Sequence, residues 1–201
     1  MALIKTGVVI TVDRVRELEG ALADLADRRL LVGVPKETDR RDGEQIDNAA
    51  LAYIHDNGAP DANVPPRPFM EPGIRAAFPA IIAGLVEAAK IALTEKGIEK
   101  FDKRLGMLGF LVAASIKRTI RANIPPPLAE STVRARIARR KSPTWRAKRS
   151  AAVDANIAAG LSPQTGLFTA LIDTGSMLNA ITWVIRKRRS DRSIVVGPTR
   201  R

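Results

Sequence analysis

Residues 173–176, Asp-Thr-Gly-Ser, carry the letters of an aspartic-protease active-site loop. That chemistry needs a second aspartate close by, because two carboxylates sharing one proton supply acid and base together. No second Asp-Thr-Gly or Asp-Ser-Gly occurs in the 201 residues. A homodimer could bring two copies together, but enzymes of that kind are built almost wholly of strands, and this chain reads as mostly helical. The same letters also start a helix. Asp173 or Thr174 can accept hydrogen bonds from the next free amides, ahead of a short amphipathic segment at 177–181 that includes Leu178. Capping is the simpler reading.

The other chemistry-bearing residues are few. His55 is the single histidine and has no serine or cysteine triad string around it; it reads as a structural histidine near a helix end. Cysteine is absent, which excludes disulfides, thiol catalysis and thiolate-held metals. A metal site would have to rest on His55 and carboxylates alone. Neither a G-x-x-x-x-G-K-[ST] loop nor a G-x-G-x-x-G loop is present. One GXXG string, Gly106-Met107-Leu108-Gly109, lies in an apolar helical stretch and lacks the basic loop of a nucleic-acid clamp. The sequence thus reads as no enzyme, with no cofactor and no metal.

Charge is more informative. The formal net charge is +12, and it is unevenly spread. Residues 1–100 hold 13 Lys/Arg and 16 Asp/Glu, a balance of −3, whereas residues 101–201 hold 20 and 5, a balance of +15. Such asymmetry suggests a surface facing something acidic. The densest run holds Arg134, Arg136, Arg139, Arg140, Lys141, Arg146, Lys148 and Arg149. It suits either nucleic-acid phosphates, with Trp145 to stack on a base, or an acidic neighbouring subunit.

The elements that must position these residues follow from periodicity. Hydrophobic residues make up 45% and aromatics only 4%, so the core must be aliphatic. Residues 1–35 read as β-α-β: a strand at 4–12, a helix from its Asp13 cap to about 29 with Val15, Leu18, Leu22 and Leu25 on one face, and a strand at 30–34. Residues 36–45 make a charged surface loop. A helical layer spans 46–123. It holds a helix at 46–56 ending at Gly58, a stiff Pro-rich connector at 64–72, and two long helices. The first opens at Pro72 or Gly73 and runs to about 96, with Ile74, Phe78, Ile81, Leu85, Ala89 and Ala92 as its buried stripe and a kink at Pro79. The second, at 98–123, buries Phe101, Leu105, Leu108, Val112, Ile116 and Ile120.

Residues 129–166 read as a basic helix capped by Ser131 or Thr132, followed by an insertion, and 171–197 as a short helix and a C-terminal hairpin. The apolar-leaning run 74–93 is broken by Arg75, Pro79, Glu87 and Lys90 and cannot span a bilayer. Residues 1–11 lack the apolar core of a signal peptide, so a soluble protein is expected. The expectation is one α+β domain over 1–201: a small mixed or antiparallel sheet packed on long amphipathic helices, with a basic helical insertion near the C-terminus.

Three strings occur in a set order. The first is Ala52-Tyr53-Ile54-His55-Asp56-Asn57-Gly58-Ala59, leading to Val64-Pro65-Pro66-Arg67-Pro68-Phe69-Met70. The second is Pro127-Leu128-Ala129-Glu130-Ser131-Thr132-Val133, and the third runs from Leu171 through Asp173-Thr174-Gly175 to Leu178 and Thr182. Together they resemble the tailed-phage virion-morphogenesis and tail-completion proteins over about two-thirds of the chain. The family often has an acidic-aromatic pair where this chain has Asp56-Asn57, and less sequence before the Asp-Thr-Gly string, so 145–166 looks inserted.

The resemblance implies a non-enzymatic α+β subunit of the phage neck or tail end. It implies copies in a ring, most simply a hexamer, that touch adjacent neck, connector or tail-tube proteins in the virion after assembly in the host cytoplasm. Tail completion, tail termination and head closure all stay open. His55, Gly58, Pro66, Arg67, Pro68, Phe69, Leu128, Ser131, Thr132, Asp173, Thr174, Gly175 and Leu178 would then be structural or assembly residues. The opposite charge of the two halves suggests that an acidic helix face and the basic half meet across subunits. The alternative is a nucleic-acid-binding module using 134–149 and the basic hairpin at 186–192, with non-specific contact to packaged DNA as a secondary role. No membrane partner is expected.

Overall fold

Apolar residues recurring every three or four positions over more than twenty residues make long helices, and this chain places two of them in succession. A computed structural model describes residues 15–36, 39, 46–92, 97–188 and 193–197. In chain order these form α1 (Val15–Ala26), β1 (Arg28–Gly33), α2 (Asn48–Asn57), a 3-10 turn (Pro60–Ala62), α3 (Met70–Ala92) and α4 (Gly97–Arg121). Then come α5 (Glu130–Ala138), α6 (Pro143–Ala158), α7 (Ser176–Ala180), β2 (Thr182–Lys187) and β3 (Ser193–Val196). The strand expected at 4–12, its Asp13 cap, most of the 36–45 loop and the Ser190-Asp191 turn lie outside the described residues.

The described strands form one antiparallel sheet in the order β1-β2-β3. The expected C-terminal hairpin supplies β2 and β3, and β1 pairs on the other side of β2, with Leu30 opposite Ile185 and Val32 opposite Trp183. Trp183 and Ile185 pack on Phe101 and Leu105 of α4 and on Ala88 and Ala92 of α3. The fold is α+β, as the sequence implied, with the sheet laid on the helical pair.

α4 is the central element. All six residues of its expected stripe, Phe101, Leu105, Leu108, Val112, Ile116 and Ile120, are buried. Its two interior glycines, Gly106 and Gly109, are buried beneath Trp183. A Cβ on Gly106 would lie 2.7 Å from the far edge of the indole, and one on Gly109 would lie 2.6 Å from Trp183 Cγ. The GXXG string is therefore a seat for a tryptophan. Its two side-chain-free positions, three apart, lie on one helix face.

Two expected stripes are only partly buried. On α3, Ala92 of the expected stripe is buried and Ile81 packs on the core, but Ile74, Phe78 and Leu85 are exposed, and Gly73, Ala77 and Ala88 are buried instead. The reason is close helix approach. A Cβ on Gly73 would sit 2.6 Å from Ile116 Cα, Ser115 Oγ donates to Gly73 O at 2.7 Å, and Gly84 lies against Leu108. At that separation only the smallest side chains fit between the axes. On α1, Leu18 and Leu22 are likewise exposed. α3 also starts earlier than expected, at Met70, because Asp56 supplies a cap from another helix.

The basic stretch is two helices rather than one. Ser142 accepts from Trp145 N at 3.3 Å and Pro143 occupies the first turn, so a new helix starts there. α5 and α6 enclose a small apolar cluster of Leu128, Val133, Ile137, Val153 and Ala170. Ser131 and Thr132 do not cap α5. They lie exposed inside its first turn, and the cap position is Ala129. Among the described residues no helix is long and apolar enough to cross a membrane.

Candidate functional site

The three strings, up to about 120 residues apart in the sequence, meet in one polar joint. In the first string Asp56 Oδ1 accepts from the backbone N–H groups of Phe69 (2.7 Å) and Met70 (3.0 Å). It thus caps α3 and fixes the angle between α2 and α3. Gly58 ends α2 at φ +82°, with its N–H donating to Ile54 O. A Cβ there would meet Pro66 N at 2.9 Å, so the glycine lets the Pro-rich connector fold back. Pro66 and Pro68 are exposed on that connector while Phe69 is fully buried.

Arg67 joins the first string to the second. It is 5% exposed; its Nε donates to Pro126 O at 3.0 Å and its Nη2 to Pro127 O at 3.3 Å. Arg136, on α5, joins the second to the third. Its Nη1 donates to Thr169 O and Ile172 O, both at 3.0 Å, and its Nη2 to Ala170 O at 2.8 Å. Asp173 faces it at 4.0 Å and also pairs with Arg139. Ser176 Oγ then donates to Asn48 Oδ1 at 3.0 Å, which returns the third string to α2.

Asp173 is therefore an ion-pair anchor and not a helix cap. α7 has Gly175 at its cap position, at φ +85°, without a side-chain cap bond; Thr174 Oγ1 accepts from Ser176 N at 3.3 Å. Leu178 is buried in the main core. With two arginines aimed at the 169–173 segment, the Asp173 carboxylate serves them first.

His55 packs into the same joint. Burial lowers its pKa below the ordinary histidine value, and the Arg67 and Arg136 charges lower it further. Its Nδ1 is buried without a hydrogen-bond partner among the described residues. Burial also lowers the pKa of both arginines; for Arg136 the Asp173 carboxylate opposes the shift. A neutral imidazole beside two cations is the consistent state.

Sequence reading missed three members of the joint, Asn48, Asn123 and Gln164. Asn123 turns the chain after α4 at φ +60°. Its Oδ1 accepts from Gln164 Nε2 (3.0 Å) and Ala170 N (2.9 Å), while Gln164 Oε1 accepts from Leu128 N at 2.6 Å. The segment read as an insertion thus supplies a buried amide to the joint. An asparagine between a helix end and three prolines was the one available signal.

The eight cations of the basic run divide in two. Arg134 pairs with Glu130 and Asp154, Arg136 is buried, and Arg139 holds Asp173. Arg140 and Arg149 lie over the Trp145 ring at 5.9 and 5.3 Å, with Phe168 edge-on to it. Lys141, Arg146 and Lys148 are exposed.

A second surface is apolar. Along α3 and α4, Ile74, Phe78, Ile82, Leu85, Val86, Met107, Phe110 and Leu111 are all exposed, Phe78 by 55% and Phe110 by 62%. An open groove of about 1130 Å³ runs between Ala76 and Ala80 on α3 and Met107, Phe110 and Leu111 on α4, with Glu99 and Arg118 also on its rim. Among the described residues no cluster of three or more His, Asp or Glu could hold a metal ion. The chain was compared with protein-family models, curated proteins and solved structures, and none matches.

Proposed function

We propose that the chain is a non-enzymatic structural subunit of a tailed-phage particle, a ring-forming protein of the neck or tail end that completes or closes the tail. The observation that carries this reading is the α3–α4 pair, which leaves eight large apolar side chains exposed along its length. Exposed apolar surface of this extent marks an interface, and an assembly subunit needs one. The three ordered strings support the same reading, because they meet as the structural joint that holds this helical pair in place. Asp173, the strongest catalytic candidate, serves as an ion-pair partner, which fits a protein without turnover.

In a ring each subunit presents two different complementary faces. The apolar α3–α4 face is one. Charge would orient the other, through exposed Glu19 and Asp24 on α1 and the basic half of a neighbour. Native mass spectrometry of the purified protein, and of subunits released from particles, tests the reading. A single closed oligomer is expected, and monomers from both sources would overturn it.

A further inference from the structure

The α5–α6 unit carries cations that have no acid partner among the described residues. Residues 129–168 contain eight Lys/Arg and two Asp/Glu. Both acids, Glu130 and Asp154, are taken by Arg134, and the nearby Asp173 by Arg139 and Arg136. Arg140, Lys141, Arg146, Lys148 and Arg149 are left on one short helix–turn–helix segment with no acid partner among the described residues.

We propose that this segment binds the phosphate backbone of duplex nucleic acid, irrespective of base sequence. Two observations favour a nucleic acid over an acidic protein. Protein interfaces are built around a core of exposed apolar residues, yet no large exposed apolar side chain lies among the cations at 139–149; on α6 the one that is exposed, Ile157, comes eight residues after Arg149. The stretch that carries the cations is polar and positive, as protein–DNA contacts are. Trp145 also argues for the duplex. Its ring is occupied by Arg140, Arg149 and Phe168, so it holds two guanidinium groups in place and is not presented to an unpaired base. Among the described residues, the Lys141, Arg146 and Lys148 side chains have no hydrogen bond or ion pair that a phosphate would have to displace.

The test is fluorescence anisotropy with a short, mixed-sequence DNA duplex over a range of salt. Each neutralised phosphate contributes about −0.9 to the slope of log affinity against log salt. Five contacts give a slope of about −4.5, and the Lys141→Gln/Arg146→Gln/Lys148→Gln variant a slope of about −1.8. The matched variant Lys36→Gln/Lys100→Gln/Lys103→Gln should keep the wild-type slope. Circular dichroism and thermal melting check that each variant folds; if the triple variant does not, the single Lys148→Gln variant should lower the slope by about 0.9. Absence of duplex binding at low salt would overturn the proposal, as would equal loss in the matched variant. Polyglutamate competing as well as the duplex would also overturn it and assign the surface to an acidic protein.

Discussion

Asp173 shows how one residue changes meaning with its surroundings. As a cap it would contribute to α7 alone; as the partner of Arg136 and Arg139 it ties α5 to the C-terminal string. Asp173→Ala should leave the buried Arg136 charge with carbonyl partners only. Because Asp173 is one-third exposed, the loss should fall between surface and buried pairs, about 1–3 kcal/mol by urea denaturation. Asp173→Asn should cost nearly as much, since the charge is what is missing; a fully stable Asn variant would restore the capping role. His55 gives a pH dependence with a definite sign. Its folded pKa is depressed by burial, Arg67 and Arg136, so the unfolded chain takes up the proton first. Stability is present above the ordinary histidine pKa of about 6.5 and falls as pH drops below it, by at most about 1.4 kcal/mol per pH unit from this group. His55→Gln should flatten that part of a melting-temperature profile between about pH 7 and 5.5.

At the scale of elements, the stability of the helical pair rests on positions without side chains. Gly73 lets α3 approach α4, and Gly106 and Gly109 let β2 lay Trp183 across α4. Gly109→Ala puts a methyl group within 3 Å of Trp183 Cβ and Cγ and of Leu30. Neither a β-strand backbone nor a seated indole can move aside cheaply, so a cost of about 1–3 kcal/mol is expected in chemical denaturation. Alanine normally favours a helix interior over glycine by about 1 kcal/mol. An unchanged or increased stability would therefore show that the seat is looser than its geometry. The stripe of α4 was legible in the sequence because its large residues do face the core. The stripe of α3 was only partly right, with Ile81 and Ala92 inward and Ile74, Phe78 and Leu85 outward, because periodicity reports where apolar residues gather and not which face meets a partner. On α3 the small residues won the inner position.

At the scale of the whole molecule, surface chemistry is segregated. The apolar groove lies on α3 and α4, the cations without an acid partner on α5 and α6, and the polar joint between them. Phe78→Asp and Phe110→Asp place charge on residues more than half exposed, so folding should be retained while self-association is lost. Light scattering behind a sizing column should show the oligomer proposed for the wild type replaced by monomer, with helicity by circular dichroism unchanged. An unaltered oligomer would place the interface elsewhere. The combined Lys141, Arg146 and Lys148 variant should leave that oligomer intact, which separates the two surfaces experimentally.

By itself, the sequence determined the local structure and the class of fold. A short apolar run made β1, β-branched runs made β2 and β3, the four- and three-residue repeat made α4, and Gly58 and the proline-rich connector ended one helix and led into the next. These are short-range effects of sterics and solvent, and a linear reading captures them. Tertiary structure decided which residues share a site. Asp56 caps a helix it does not belong to, Arg67 and Arg136 satisfy carbonyls 33 to 60 positions away, and Asp173 turns from a cap into an ion-pair anchor. It also decided which apolar face of α3 is spare and which cations of the basic run are unpaired. Those outcomes depend on distances between segments far apart in the chain, set by the close approach of α3 and α4.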